Sequence, residues 1–220
     1  MRDWSPNWSD ARAHITPVPR QAVLDLAVRL AHPIAGDLIE FGVWEGESAR
    51  AIRASLDRCE QASPELPRKR VFACDSFKGL PERFEQLEAG AFACDPPEIP
   101  GVEIVVGLFQ DSLTDAFARR IGSVALAFLD ADLYSSTRCA LDWLTPLVHP
   151  GTLLLFDEFL GEKESERRAF DDWSRDTGVM AMLVADFLRN PSGCSLHRPD
   201  RRVLYQIVSG GALAPAQRPG

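Results

Sequence analysis

Two apolar, strand-like runs in this chain each end in carboxylates, and few folds can accommodate that arrangement. Val124–Leu129 is followed by Asp130 and Asp132, and Thr152–Phe156 by Asp157 and Glu158. The stretch between them carries Ala140, Trp143, Leu144 and Leu147 at helical spacing, with Ser135 or Ser136 placed to cap it. Strand, helix and strand in that order read as a right-handed crossover between parallel strands. In an open parallel sheet the carboxyl ends of the strands form the ligand crevice, so the four acids gather at one rim. Burying that much like charge is costly unless a cation or a proton neutralises it. The residues therefore point to a divalent metal beside a reaction centre. Asp130 and Asp157 would share its coordination sphere, and Asp132 would be a further ligand or a free base. Hard oxygen donors favour Mg2+, Mn2+ or Ca2+. The competing reading is that these acids cap helices and pair with Arg138 or Arg167.

The same alternation runs through the chain. A helix fits about 19–31, where Val23, Leu26, Ala27 and Leu30 recur at helical spacing before His32-Pro33. Strands are expected at Asp37–Phe41, Arg70–Cys74 and Glu103–Val106. One helix starts near Glu47, and another, capped by Ser112, carries Leu113, Ala116 and Phe117. A helix at about 162–176, anchored by Phe170 and Trp173, precedes a closing hairpin of Met180–Phe187 and Arg202–Val208. The expected fold is α/β, a mostly parallel sheet with helices on both faces and a C-terminal antiparallel hairpin. It reads as a single domain over 17–208, with a loose N-terminal arm at 1–16 and a Gly/Ala/Pro-rich tail at 209–220. Residues 76–102 form a long, Pro-rich, acidic segment with one helical turn around 81–89, and long loops of this kind serve as lids or binding loops.

Composition narrows the partners. The net charge of −8 argues against a nucleic-acid or anionic-membrane surface. No apolar stretch reaches membrane-spanning length, and the first residues, MRDWSPNWSD, lack the apolar core of a signal peptide, so a cytoplasmic location is expected. The five cysteines are odd in number and show no zinc-like spacing. No GxSxG elbow exists for a serine nucleophile. Trp4 and Trp8 in the arm could pack across a homodimer.

The first strand delivers Glu40-Phe41-Gly42-Val43-Trp44-Glu45-Gly46-Glu47-Ser48 straight into a helix. Glycines at such a turn let the backbone approach a ligand, and the helix start offers free N–H groups. Val43 and Trp44 separate the glycines, so this is not the GxGxxG of pyrophosphate binders. A nucleoside ligand without phosphate, S-adenosylmethionine, suits the turn better: its carboxylate meets free N–H groups and its sulfonium meets acids. The candidate cofactor contacts on this turn are Glu40, Gly42, Trp44, Gly46 and Ser48. Asp75, at the end of the second strand and followed by Ser76, can bond both ribose hydroxyls. After the third strand come Asp111 and Ser112. Asp111 either contacts the adenine amino group or caps the next helix.

GDLIEFGVWEGES, CDSFKGLP, GLFQDSL, AFLDADLYSST and LLLFDEF occur in this order. Over roughly residues 36–160 the set resembles the macrocin O-methyltransferase family of class I S-adenosylmethionine-dependent methyltransferases, which tailor macrolide and aminocoumarin sugars. The resemblance implies a Rossmann-like methyltransferase sheet and Mg2+-assisted methylation of a hydroxyl on a small-molecule acceptor. It implies metal ligands at Asp130, Asp157 and Glu158, a base at Asp132, and cofactor contacts at Glu40, Gly42, Ser48, Asp75 and Asp111. One departure stands out. The family usually has two aspartates after the fifth strand, and here the pair is Asp157-Glu158. Three other readings compete: a nucleotide-sugar glycosyltransferase using Asp130 and Asp132 as a DxD motif, an NAD-dependent oxidoreductase, weakened by the missing GxGxxG, and a binding protein that keeps the fold without activity.

Overall fold

Two strands in which every residue is buried, β1 (Asp37–Phe41) and β4 (Val124–Leu129), lie side by side at the centre of the molecule. The computed structural model describes residues 17–84, 86–160, 165–188 and 201–209. These include β2 (Val71–Asp75), β3 (Glu103–Val106), β5 (Leu153–Phe156), β6 (Met180–Leu188) and β7 (Arg201–Ser209). They form a seven-stranded sheet in the order β3-β2-β1-β4-β5-β7-β6. The first five strands are parallel, and β7 runs antiparallel to both β5 and β6. This is the Rossmann-like methyltransferase arrangement.

Alternating side chains on each buried strand feed two layers, as the two-residue period of a strand requires. Leu126 and Phe128 of β4, with Leu153 and Leu155 of β5, pack under α1 (Arg20–Ala31) and α2 (Glu47–Ala62). Ala127, Leu129, Leu154 and Phe156 point the other way. There they meet α4 (Asp115–Ile121), α5 (Tyr134–Leu144) and α6 (Ser165–Thr177). The second layer is rich in rings. Phe117 stacks on Trp143 with centroids 5.2 Å apart, and Phe170 stacks on Tyr205 at 4.6 Å. Trp173 is wholly buried, and its indole N–H donates to Thr145 Oγ1 at 2.9 Å.

The chain reverses its direction of travel across the sheet between β1 and β4, which opens a crevice at their carboxyl ends. Register then fixes what faces that crevice. Phe41 pairs with Leu129, and Leu129 with Phe156. The ladder continues one residue further: the Asp130 amide donates to Phe41 O at 2.9 Å, and the Asp157 amide to Leu129 O at 3.0 Å. Gly42, Asp130 and Asp157 thus leave the sheet at one level. Gly42 has φ +89°, and a Cβ there would lie 1.9 Å from the Asp130 carbonyl oxygen, so only glycine fits.

Several local expectations are corrected. Ser112 ends an extra helical turn, α3 (Phe109–Ser112), and Thr114 caps α4 by accepting the Phe117 amide. The joining helix α5 starts at Tyr134 behind Leu133 with no side-chain cap, and Ser135 donates to Glu82 instead. Residues 81–89 hold no helical turn; Phe84 and Leu87 pair as an isolated antiparallel bridge. The expected arm at 1–16, the tail beyond Ser209, the start of the 162–176 helix and the segment 189–200 lie outside the described residues. Among the described residues no helix is long and apolar enough to cross a membrane.

Trp173→Ala removes the largest fully buried side chain and leaves the Thr145 hydroxyl without its donor. We expect a loss of about 3–5 kcal/mol in urea unfolding, with Trp173→Phe losing less.

Candidate active site

A cavity of about 470 Å³ opens at the carboxyl ends of the parallel strands, within the range of small-molecule sites. The turn after β1 supplies Gly42, Val43, Trp44, Glu47 and Ser48 to its wall, and the end of β2 supplies Asp75 and Ser76. The long segment after β2 adds residues 79–82 and Phe92, and the end of β3 adds residues 107–110. Asp130, Ala131, Asp132, Ser135 and Ser136 form the opposite wall, completed by Arg20 and Glu158.

Asp75 ties the first two strand ends together. Its Oδ2 accepts the amides of Val43 at 2.7 Å and Trp44 at 3.0 Å, and its Oδ1 accepts Phe77 N at 2.9 Å. A carboxylate can take about four such bonds, so acceptor capacity remains toward the cavity. Three residues beside these strand ends sit at positive φ without being glycine: Trp44 (50°), Phe77 (57°) and Asp132 (56°). Left-handed backbone at such residues costs roughly 1–2 kcal/mol each and concentrates at functional sites. Trp44 leans on Phe92 edge-to-face at 5.6 Å, so the β1 turn also touches the long loop.

Four of the nine expected cofactor contacts lie off the cavity wall. Glu40 is wholly buried behind the wall, where its Oε1 accepts the Ser48 hydroxyl. Its Oε2 has no hydrogen-bond partner among the described residues. Gly46 is the left-handed N-cap of α2, packed so that a Cβ would meet Ile99 Cδ1 at 2.7 Å. Asp111 and Ser112 are carried away by the unforeseen α3 turn, which presents residues 107–110 in their place, and Ser112 Oγ turns back to Leu108 O at 3.0 Å.

The acid cluster is met by arginines. Arg20 Nη2 donates to Asp130 Oδ2, while Arg20 Nε lies 3.5 Å from Asp157 Oδ1. Arg202 Nε donates to that same Asp157 oxygen at 2.5 Å. Antiparallel register delivers Arg202: Val203 pairs with Phe156, so the preceding residue stands opposite Asp157. Arg20 is the first residue of α1, the positive end of a helix dipole, where a cation costs about 0.3–1 kcal/mol unless carboxylates offset it. Neither Arg138 nor Arg167 fills this role. Arg138 pairs with Asp142 and Asp176, and Arg167 with Asp171.

A further acid escaped the sequence reading. Glu166, in the first turn of α6, is 1% exposed, and its Oε2 accepts the Glu158 amide at 3.0 Å. Burial, then the nearby Asp130 and Asp157 charges, hold its carboxyl well above the usual range. Burial and the neighbouring negative charges thus both favour the neutral form of the Glu166 carboxyl. The expected ligand set of Asp130, Asp157 and Glu158 does not come together. Among the described residues there is no group of three His, Cys, Asp or Glu side chains able to hold a metal ion. The physical reason is that both aspartates are turned onto guanidinium groups. A divalent ion at those three residues does not fit this geometry.

Burial also pushes the Glu40 carboxyl from its ordinary 4.5 up to about 8, with the Ser48 bond opposing and the Asp130 charge adding. The folded state binds this proton more tightly than the unfolded chain. The resulting stability is fully present below the ordinary value and is lost as pH rises through about 8. Glu40→Gln abolishes that titration. Chemical unfolding across this window should show the variant losing less stability with rising pH than the parent.

The family model for a methyltransferase domain matches residues 39–159, more than half of the chain. A 4'-O-methyltransferase of Streptomyces olivaceus, acting on 8-demethyl-8-(2,3-dimethoxy-alpha-L-rhamnosyl)-tetracenomycin C, is 32% identical over 152 residues, covering 59% of this chain and 55% of that protein. Demethyldecarbamoylnovobiocin O-methyltransferase of Streptomyces niveus is 28% identical over 163 residues, covering 64% and 58%. The matches thus span little more than half the length of these relatives. The solved O-methyltransferase NovP superposes with a TM-score of 0.64 at 22% identity, covering 86% of this chain and 79% of that one. Strand order, crevice and family match agree: the chain belongs to the methyltransferase-domain family.

Proposed function

We propose that this protein is an S-adenosylmethionine-dependent O-methyltransferase acting on a hydroxyl of a natural-product sugar. The observation that carries the reading is a single cavity flanked on one side by the Gly42–Ser48 turn and Asp75, and on the other by Asp132. The two relatives support the acceptor class, since both are named for O-methylation in glycosylated natural products. The macrocin family, as the finer assignment, rests on the ordered motifs alone. No rival is favoured: the DxD of a glycosyltransferase would need Asp130, which Arg20 engages, and an inactive scaffold has no need of a strained Asp132 facing the cavity.

The cofactor supplies an electrophilic methyl group on a sulfonium. Asp75 is placed to accept ribose hydroxyls while it holds the Val43 and Trp44 amides in line. The acceptor hydroxyl oxygen forms the new bond to the methyl carbon as the carbon–sulfur bond breaks, its electrons leaving with sulfur as a neutral thioether. The hydroxyl proton passes to Asp132. Asp132 is held at φ 56° and lines the cavity. No step is routed through a divalent ion, given where Asp130 and Asp157 point.

Asp75→Ala should weaken S-adenosylhomocysteine binding by more than about tenfold in calorimetry, through loss of charge-assisted bonds. Unchanged affinity would remove Asp75 from the site. Asp132→Asn keeps the shape and removes the basicity. With a glycosylated acceptor, turnover should fall by about 10²–10⁴-fold while cofactor affinity persists. Retained turnover would refute the base assignment.

A further inference from the structure

The carboxylates that the sequence offers to a metal are already supplied with positive charge by the polypeptide. Asp130 and Asp157 leave the sheet on neighbouring strands at one level, and Arg20 spans the gap between them. Its Nη2 donates to Asp130, and its Nε lies 3.5 Å from Asp157 Oδ1, an ion-pair contact without a hydrogen bond. Arg202 Nε donates to the same Asp157 oxygen. Among the described residues, the guanidinium groups paired with these two carboxylates are those of Arg20 and Arg202, with Asp157 wholly buried and Arg202 nearly so. A divalent ion added between the aspartates would face two guanidinium cations at close range beside the wholly buried Asp157, and like charges repel. Glu158 lines the cavity and its amide donates to Glu166 Oε2, whereas Asp157 is not on the cavity wall.

We infer that the Arg20 guanidinium occupies the cation position between Asp130 and Asp157, so that methyl transfer by this chain proceeds without a divalent ion. Arg20 is then a positioning residue. It fixes the Asp130 carboxylate, and with it the origin of the Asp130–Asp132 loop that carries the proposed base. It reaches this place because α1 starts beside the crevice, and its side chain also passes over the Phe128 ring at 5.3 Å. The inference rests on the methyltransferase reading only for its turnover assay.

The test uses the whole chain, stripped with EDTA and dialysed, and follows Mn2+ uptake by electron paramagnetic resonance. The wild type should leave millimolar Mn2+ free in solution. Arg20→Ala should take up Mn2+, and Arg20→Ala with Asp130→Asn should lose that uptake. Wild-type turnover should be the same with EDTA as with added Mg2+. Stoichiometric Mn2+ binding by the wild type, abolished by Asp130→Asn, would overturn the inference, because Arg20 would then be a latch that yields to the ion. A folded Arg20→Ala protein that binds no Mn2+ would overturn it equally. If Arg20→Ala does not fold, the wild-type titration with Asp130→Asn as its control still decides. Calorimetry with S-adenosylhomocysteine runs in parallel. Absence of binding there sinks the methyltransferase reading and leaves the Mn2+ result standing on its own.

Discussion

The hydrogen bonds that extend the parallel ladder past its last paired residues set the geometry of the whole rim. Asp130 N to Phe41 O and Asp157 N to Leu129 O keep three adjacent strand ends in step. A slip of one residue would turn every side chain beyond it to the other layer. Gly42 could not then pass the Asp130 carbonyl, and the two aspartates would not face the same guanidinium. The crevice is thus a property of backbone register first and of side-chain chemistry second.

On that frame the crevice is held under tension at a few points. Trp44, Phe77 and Asp132 all occupy left-handed backbone, and Asp75 restrains the first two through its bonds to the Val43, Trp44 and Phe77 amides. Buried acids are treated in two ways. Burial raises the Glu40 and Glu166 carboxyls above their ordinary value and so favours their neutral forms. Asp157 is paired with arginines. Like charges crowded at one rim are costly without counter-ions, and this rim sets guanidinium groups against Asp130 and Asp157.

Much of the architecture was legible because strand and helix periods differ. Asp37–Phe41, Glu103–Val106 and Val124–Leu129 are read from hydrophobicity with the bounds they have in the structure. The acids at 130, 132, 157 and 158 are visible because charge stops an apolar run. Their counter-ions were not visible. Arg20 looks like an ordinary first-turn residue of an amphipathic helix, and Arg202 like one of several basic residues in a loop-rich stretch. The one available signal for Arg20 was its charge at the wrong end of a helix dipole. Glu166 hid because a helical face shows which residues are buried only when they are apolar. The α3 turn was missed because its four residues carry no period long enough to detect, and that displaced Asp111 and Ser112 from the expected wall.

The two arginines come from opposite ends of the described chain, separated from their aspartates by 110 and 45 positions. The acidic rim itself is assembled from the middle. A ribosome-bound intermediate that has completed β5 therefore exposes a strand edge and lacks the Arg202 counter-charge, and both deficits end together when β7 docks. Arg202 and the β7 backbone arrive on the same strand, so closing the sheet edge and balancing the rim are one event. Deletion of the C-terminal pair would not trim a peripheral hairpin; it would leave the acidic rim electrostatically unfinished. Such truncated chains belong with partially folded, aggregation-prone species, although most of the cavity wall lies within the residues they retain.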